Sequence, residues 1–207
     1  MSNPWLAIPL ADYERHMAAP EVSQLQALSS LFAEALAVRR PASVAILGVA
    51  GGNGVERIDS SLTSRILALD INPAYLEQVR LRYPNLAGLE LHAVDLAEEW
   101  IQLPPVNLVH AALVFEHAGT GRCLDNALTL LGEDGALSVV LQLPSAVEQT
   151  VGSSGIASIR SLQAHFSLID PQGFRAELEK RGLEPVYEAQ RGVPGGKALW
   201  MGIFVRV

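Results

Sequence analysis

The chain has 207 residues, of which 49% are hydrophobic, and its formal net charge is −7. This length predicts one α/β domain with a full hydrophobic core. The arginines are scattered and only two lysines occur. A nucleic-acid surface usually shows a basic patch, so we expect no nucleic-acid partner.

Three features concern the compartment. No apolar run reaches the roughly 18 residues that span a membrane. The N-terminus lacks the basic flank and long apolar region of a signal peptide. The single cysteine, Cys123, has no partner for an internal disulfide. We therefore expect a cytoplasmic protein without a membrane partner, and the sequence leaves open whether it is a monomer or a homodimer.

The first 40 residues predict a flap and a helix. Residues 1–20 are too apolar for a free tail. They either pack against a sheet or form a flap over a ligand, with Tyr13 and His16 facing that ligand. In the next stretch, Glu21 to Arg39, apolar residues recur at helical spacing on one face. We predict a core helix there, which Pro41 ends.

A glycine-rich turn follows the first predicted strand. Val44 to Leu47 is an apolar run of strand length. The turn GVAGGNG, residues 48–54, follows it directly, and Val55 then opens a helix. This order forms the nucleotide-cradling unit of a Rossmann-like sheet. Glycine suits the turn because it tolerates positive φ and lets a ligand approach the backbone.

The next two predicted strands each end in a carboxylate. Asp70 ends the run that begins at Arg65, and Asp95 ends the run that begins at Leu89. An acidic residue at the tip of the second strand is placed to accept hydrogen bonds from ribose hydroxyls. Two such carboxylates at successive strand tips therefore suggest an adenosine site.

A histidine follows the fourth predicted strand, Val106 to Ala112. The segment after it contains Glu116 and His117 and begins a helix on the ligand side of the sheet. His117 is the best candidate for a proton acceptor, since the pKa of free histidine lies near neutrality. The alternative is that Glu116 and His117 are structural and cap or orient that helix.

The remaining elements continue the alternation of strands and helices, which predicts a parallel sheet with right-handed crossovers. A helix is predicted over Gly119 to Leu131, a turn over residues 132–135 and a fifth strand over Ala136 to Leu143. Asn72 and Pro73 start a helix that runs through Arg82, and Asp170 and Pro171 open the last helix with a cap and a proline. Two strands, Glu184 to Gln190 and Ala198 to Val207, flank a glycine-rich turn and should pair antiparallel.

Together, GVAGGNG, ALDINP and AVDL resemble the class I S-adenosylmethionine-dependent methyltransferases. The usual pattern of that family opens with an acidic residue and continues with glycine at alternate positions. Those places fall here on Gly48, Ala50, Gly52 and Gly54, so Gly48 stands where the acid is usual and Ala50 where the first glycine is usual.

The resemblance implies S-adenosylmethionine as the cofactor and assigns roles to individual residues. Asp70 would hold the ribose, and Asp95 with the Leu96 backbone would meet the adenine edge. The full set implied to bind the cofactor is Gly48, Ala50, Gly52, Gly54, Asp70, Ile71, Asp95, Leu96 and Ala111. On the acceptor side, Tyr13 and His16 belong to the flap hypothesis, and Arg160 lies in the segment after the fifth strand, which in this family commonly covers the substrate. The alternative for Arg160 is a plain connecting helix. His117 and Glu116 remain the catalytic candidates.

The implied fold is a three-layer α/β sandwich around a seven-stranded sheet with the order 3-2-1-4-5-7-6 and strand 7 antiparallel. One domain, 1–207, would comprise a flap and helix (1–40), a cofactor-binding core (41–143), a substrate-covering segment (144–170) and a C-terminal helix with a hairpin (171–207). Dinucleotide-binding dehydrogenases lack such a reversed hairpin, so it favours the methyltransferase interpretation.

The implied function is methyl transfer to a small-molecule acceptor by direct displacement. Because the cofactor carries the reactive group, a strong catalytic base is optional. No Cys/His cluster has the spacing of a zinc site, and we expect no metal. Two alternatives stay open: a noncatalytic protein that binds an adenosyl ligand, which the glycine at position 48 motivates, and a nicotinamide-dependent oxidoreductase.

Overall fold

The computed structural model describes residues 3–144, 155–194 and 196–207. Its strands are β1 Ser43–Leu47, β2 Arg65–Asp70, β3 Leu89–Ala93, β4 Val106–Ala112, β5 Leu131–Gln142, β6 Leu183–Val193 and β7 Lys197–Arg206. They form one seven-stranded sheet with the order β3-β2-β1-β4-β5-β7-β6. The first five strands pair in parallel, and β7 is antiparallel to both β5 and β6. The predicted strand order and reversed last strand are confirmed.

Helices cover both faces of this sheet. They are α1 Leu10–Ala18, α2 Gln24–Arg39, α3 Pro73–Arg82, α4 Phe115–Ala118, α5 Arg122–Thr129 and α6 Pro171–Lys180. Successive side chains of a strand point to opposite faces. Val44 and Ile46 of β1 therefore pack into one core with α2 and α3, whereas Ala45 and Leu47 pack into the other with α5 and α6. This arrangement is the predicted three-layer sandwich.

Two helices begin where the sequence predicts a cap. The side chain of Asn72 accepts a hydrogen bond from the backbone N–H of Ala74, and Pro73 is the first residue of α3. Asp170 accepts from Gly173 at 2.8 Å, and Pro171 opens α6. Caps of this kind stabilise a helix by about 1 kcal/mol. The cap at Asn72 also fixes how α3 leaves the end of β2.

Three local predictions were wrong. The glycine turn leads into a single 3-10 turn, Val55–Arg57, rather than an α-helix. The helix predicted from Gly119 begins only at Arg122, because Gly119 adopts a φ of +75° and ends α4. Residues 132–135 belong to β5 and form no separate turn, since β5 already pairs with β4 at Leu131 through a register irregularity.

The segment predicted to cover the substrate is described only in part. Residues 145–154 of the range 144–170 lie outside the described residues. The 3-10 helix Ala157–His165 follows them and buries Ile159 and Leu162 against Ile8 of the N-terminal segment. Among the helices that the structure describes, none is long and apolar enough to cross a membrane.

Candidate functional site

A cavity opens at the carboxyl ends of the parallel strands, between β1 and β4, where the strand order reverses. Open α/β sheets bind their ligands at this switch point. Strand ends and the turns after them contribute Gly48, Ala50, Asp70, Ile71, Val94, Asp95, Leu96, Ala97, Ala112, Leu113, Val114 and Gln142 to its lining. Helices and the covering segments contribute Asn3, Trp5, Tyr13, His16, Met17, Gln24, Tyr75, His117, Ala118, Leu162 and Phe166.

The glycine turn has two separate roles. Gly48, Ala50, Gly52 and Gly54 all adopt a positive φ. Gly48 and Ala50 line the cavity, but a Cβ on Gly52 would lie 2.8 Å from the ring of Tyr83. A Cβ on Gly54 would similarly lie 3.0 Å from the ring of Phe32. The second half of the turn is thus glycine because α3 and α2 pack closely against it.

Two of the four non-glycine residues that have a positive φ in the described part of the chain line the cavity. Ala50 has a φ of +47° and Leu113 a φ of +56°, and both residues line the cavity. A non-glycine residue in this region costs about 1–3 kcal/mol and persists only where its surroundings hold it. Leu113 is held by its backbone N–H, which donates to Val140 on β5. Strain of this kind is typical of ligand sites.

The carboxylate of Asp70 is buried and held from two sides. It accepts hydrogen bonds from the backbone N–H of Ala50 at 2.8 Å and of Asn72 at 2.9 Å. Burial raises the pKa of Asp70 to about 6, although these backbone bonds partly oppose the shift. The orientation of the carboxylate is therefore set before any ligand arrives.

The end of β3 presents a second carboxylate with apolar neighbours. Asp95 accepts a hydrogen bond from the backbone N–H of Ala97 at 3.0 Å, which fixes its side chain at the cavity. Ile71 and Leu96 add apolar surface beside it. A flat heterocycle with polar edges would suit this end of the cavity.

The N-terminal segment covers the cavity and is fastened to α3. Asn72 donates to the backbone carbonyl of Trp5 at 2.9 Å, and the Tyr75 hydroxyl donates to that of Ile8 at 2.9 Å. Arg82 forms an ion pair with Glu14 of α1 and donates to the carbonyl of Gly51 at 2.8 Å. The N-terminal segment is therefore tied both to α3 and to the glycine turn.

Aromatic rings line the inner side of this cover. Trp5 packs edge-to-face against Tyr13 at 5.4 Å and against His117 at 4.9 Å between ring centroids. His117 in turn packs against Phe166 at 5.1 Å. Edge-to-face contacts of this kind are favourable. They join the flap, α4 and the covering segment into one wall.

Glu116 forms hydrogen bonds to two separate segments, the end of β5 and the residues before α6. Its carboxylate accepts from the backbone N–H of Gln142 at 2.8 Å, and its backbone carbonyl accepts from Ser167 at 2.8 Å. The other carboxylate oxygen is buried and has no hydrogen-bond partner within the described residues. Burial raises the pKa of Glu116 to about 7. Glu116 lies behind the cavity wall, whereas His117 lines the cavity.

The imidazole of His117 is neutral in this setting. Burial lowers the pKa of His117 to about 4. Its Nδ1 is buried and finds no hydrogen-bond partner in the part of the chain that the structure describes. A neutral imidazole can accept a hydrogen bond through one of its ring nitrogens. His117 thus brings an unused acceptor nitrogen to the wall of the cavity.

Two glutamines at the cavity were missed in the sequence. Gln24 opens α2 and Gln142 ends β5, and the Nε2 of Gln24 donates to the Oε1 of Gln142 at 3.3 Å. Both side chains are buried and line the cavity. The available signal was the amide of Gln142 at the end of a mainly apolar run, Ala136 to Leu143, but nothing in the sequence shows that the two residues meet.

Known proteins resemble this chain only in structure. No family model and no curated protein matches the sequence. The N-methyltransferase NodS from Bradyrhizobium japonicum WM9, in complex with S-adenosyl-L-homocysteine, matches with a TM-score of 0.69 at 16% identity, over 99% of each chain. A SAM-dependent methyltransferase from Leishmania major gives a TM-score of 0.69 at 12% identity, over 97% of this chain and 80% of that one.

A third match is the magnesium protoporphyrin IX methyltransferase ChlM from Synechocystis PCC 6803 with bound S-adenosyl-L-homocysteine. Its TM-score is 0.67 at 10% identity, over 91% of this chain and 85% of that one. The chain has the class I methyltransferase fold. The order of its sheet and the reversed β7 are the features of that fold that the sequence predicted.

The methyltransferase fold brings most of the predicted site residues together. Gly48, Ala50, Asp70, Ile71, Asp95, Leu96, Tyr13, His16 and His117 line the cavity, and Gly52, Gly54, Ala111, Glu116 and Arg160 do not. Ala111 is fully buried inside β4, and Ala112 and Leu113, which follow it, line the cavity in its place. Arg160 is exposed, because the 3-10 helix turns Ile159 and Leu162 inward instead. Within the described residues, no cluster of His, Cys, Asp and Glu could hold a metal ion.

Proposed function

We propose that this protein transfers the methyl group of S-adenosylmethionine to a small-molecule acceptor by direct displacement. The observation that carries the proposal is the presence of two strand-end carboxylates, Asp70 and Asp95, in one cavity with the glycine turn. The fold supports it, since solved neighbours with this fold are methyltransferases with bound S-adenosylhomocysteine.

The residues present fit the adenosyl part of this cofactor. Asp70 uses one lone pair on each oxygen for a backbone N–H, and a carboxylate has further lone pairs that suit two ribose hydroxyls. Asp95 can accept from the adenine amino group, and Ile71 with Leu96 offers apolar surface to the adenine ring. Gly48 supplies no carboxylate, so the methionine ammonium group would be held by other groups.

The cofactor, when bound, supplies an activated methyl group. The residues of the chain then align the acceptor and exclude water. Trp5, Tyr13 and Phe166 close the cavity on its outer side, which restricts the acceptor to a small set of orientations. Such alignment can provide a large part of the rate acceleration. We assign to the Nδ1 of His117 a hydrogen bond from the acceptor, and to Glu116 the positioning of α4.

A second candidate function is binding of an adenosyl ligand without methyl transfer. The glycine at position 48 favours this candidate, because a missing carboxylate weakens the hold on the methionine end. Transfer of a radiolabelled methyl group from S-adenosylmethionine to any small-molecule acceptor would exclude it. The reversed β7 disfavours the nicotinamide-dependent alternative.

Calorimetric titration with S-adenosylmethionine, S-adenosylhomocysteine and NAD tests the proposal. We expect micromolar binding of both adenosyl ligands, no comparable binding of NAD, and loss of binding in Asp70→Ala. Asp134→Ala is the matched control, since Asp134 is exposed on β5. Binding of NAD alone, or equal binding by both variants, would contradict the proposal.

A further inference from the structure

The cavity has two ends of different character. Asp70 and Asp95 lie on the β2–β3 side of the switch point. Across the reversal of strand order, Gln142 ends β5 with Gln24 bonded to it, and His16 of α1 and the ring cluster of Trp5, His117 and Phe166 complete the lining. We call these six residues the acceptor chamber.

The acceptor chamber presents no formal charge. Its polar groups are two amides and two imidazoles. Burial lowers the pKa of His117 to about 4 and also lowers the pKa of His16, to which Lys197 contributes from outside the lining. Among the residues that the structure describes, no lysine or arginine lines the cavity, and the carboxylates that line it are Asp70 and Asp95 at the other end.

A ligand with a formal charge would be poorly tolerated in this chamber. Moving an ion out of water is unfavourable unless the site offers an opposite charge or several hydrogen bonds. Glu116 lies behind the wall rather than in the lining, and burial, which raises the pKa of its carboxyl group to about 7, favours its neutral form. The chamber therefore selects against both cationic and anionic acceptors.

The amide pair gives the chamber a hydrogen-bonding partner for a neutral ligand. Gln24 donates through its Nε2 to Gln142, so this contact leaves the carbonyl oxygen of Gln24 as an acceptor. Within the described residues, no donor bonds to that oxygen. A hydroxyl or N–H of a ligand would donate a hydrogen bond to this oxygen.

The rings of the chamber favour a planar partner. Trp5 and Phe166 both contact His117 in edge-to-face geometry, with ring centroids 4.9 and 5.1 Å from that of the imidazole. An aromatic ligand can extend such a cluster with the same edge-to-face or offset geometry. An aliphatic ligand would gain only the contact area.

We propose that the methyl acceptor is an uncharged aromatic molecule whose O–H or N–H group is recognised by Gln24 in the amide pair. This inference rests on the proposed function and specifies its acceptor. Gln24 then sets specificity in two ways: its side chain carries no charge that would attract an ionic acceptor, and its carbonyl oxygen accepts a hydrogen bond from a neutral one.

Three probes of equal size test the inference: phenylacetamide, phenylacetate and phenethylamine, which are neutral, anionic and cationic at pH 7. Binding is measured by ligand-observed NMR on the protein saturated with S-adenosylhomocysteine. We expect phenylacetamide to bind at least about tenfold more tightly than either charged probe. Equal or tighter binding of a charged probe, or no detectable binding of all three, would overturn the inference.

The variant Gln24→Glu adds one negative charge with little change in shape. It should reverse the order and make phenethylamine the tightest of the three probes. Gln172→Glu, on the exposed face of α6, adds the same charge elsewhere and should leave the order unchanged. An unchanged order in a folded Gln24→Glu protein would also overturn the inference.

Failure of the two proposals would look different. If S-adenosylhomocysteine binds to the wild type but the probe order fails, the acceptor class is wrong and the cofactor assignment stands. If S-adenosylhomocysteine itself does not bind, the proposed function is wrong. The order of the three probe affinities is measured on the wild type alone, so it remains informative if Gln24→Glu does not fold.

Discussion

The backbone N–H of Ala50 donates a hydrogen bond of 2.8 Å to the carboxylate of Asp70. This bond connects the glycine turn after β1 to the end of β2, at the carboxylate end of the cavity. Both residues are unfavourable for folding, since Ala50 has a positive φ and Asp70 is a buried acid. A site that is unfavourable for folding is commonly retained because it serves binding.

Removing the charge of Asp70 should therefore reduce the pH dependence of stability and weaken the site. The folded pKa of about 6 exceeds the ordinary value of 3.8, so the contribution of Asp70 to stability is present below pH 4 and is lost as the pH rises through 6. Because the amide of Asn accepts only one of the two backbone N–H groups, the expected effect is on pH dependence: the stability difference between Asp70→Asn and wild type should shift by about 1–3 kcal/mol in favour of the variant between pH 4 and 7.5. Binding of S-adenosylhomocysteine should weaken at least about tenfold, because a carboxylate accepts ribose hydroxyls better than an amide.

Urea denaturation and calorimetry measure the two effects, and Asp134→Asn is the exposed control. A folded Asp70→Asn variant that binds as tightly as the wild type would remove Asp70 from the site.

Glu116 should give the protein a pH-dependent stability. Its folded pKa of about 7 lies above the ordinary 4.5, so its favourable contribution is complete below pH 4.5 and disappears as the pH rises through 7. His110 and His117, whose pKa values burial lowers to about 3 and about 4, act in the opposite direction. The difference between wild type and Glu116→Gln isolates the glutamate, and it should change by up to about 3 kcal/mol between pH 4.5 and 8.

Urea titrations at half-unit pH intervals measure this difference. Glu133→Gln, an exposed residue of β5, serves as the control and should show a flat difference. A flat difference for Glu116→Gln as well would mean that its carboxyl group is not desolvated.

Ala50→Gly should stabilise the protein. The substitution relieves a positive φ of +47° and should be worth about 0.5–1 kcal/mol after the greater flexibility of glycine in the unfolded chain is deducted. The same change at Ala37, which is exposed in α2, should instead destabilise by about 1 kcal/mol. Thermal and urea denaturation measure both, and a loss of stability in Ala50→Gly would show that the methyl group of Ala50 makes contacts worth more than the strain.

Breaking the ion pair between Glu14 and Arg82 should loosen the flap. Both side chains are partly exposed, so we expect only a modest gain of about two- to fivefold in the dissociation rate of S-adenosylhomocysteine from Glu14→Gln. Stopped-flow fluorescence of Trp5 in the flap provides the measurement. Glu77→Gln breaks the pair with Arg80 on the exposed side of α3 and should leave the rate unchanged. Equal rates for all three proteins would show that the flap does not control release.

Features that depend on neighbouring residues could be predicted from the sequence. The caps at Asn72 and Asp170 are read from a few adjacent positions, and the buried strands from short apolar runs. The strand order came from the family resemblance together with the regular alternation of elements. Asp70 and Asp95 were found because strand ends in a parallel sheet meet at one edge.

Features that depend on contacts between residues far apart in the sequence could not be predicted from it. The glycine at position 54 is required by Phe32 on another helix, a relation that no local spacing shows. Gln24 and Gln142 meet only because α2 lies over the end of β5. Arg160 was assigned to the cavity from its segment alone, whereas the phase of the 3-10 helix determines which side chains turn inward.

Glu116 binds Gln142 with its side chain and Ser167 with its backbone. One residue of α4 thus anchors both borders of the stretch between β5 and α6. Because both of its borders are fixed, this segment can be exchanged without changing the sheet or the carboxylate end of the cavity. Exchange of Leu162 and Phe166, in evolution or by design, would therefore reshape one wall of the cavity and leave the amide pair of Gln24 and Gln142 unchanged.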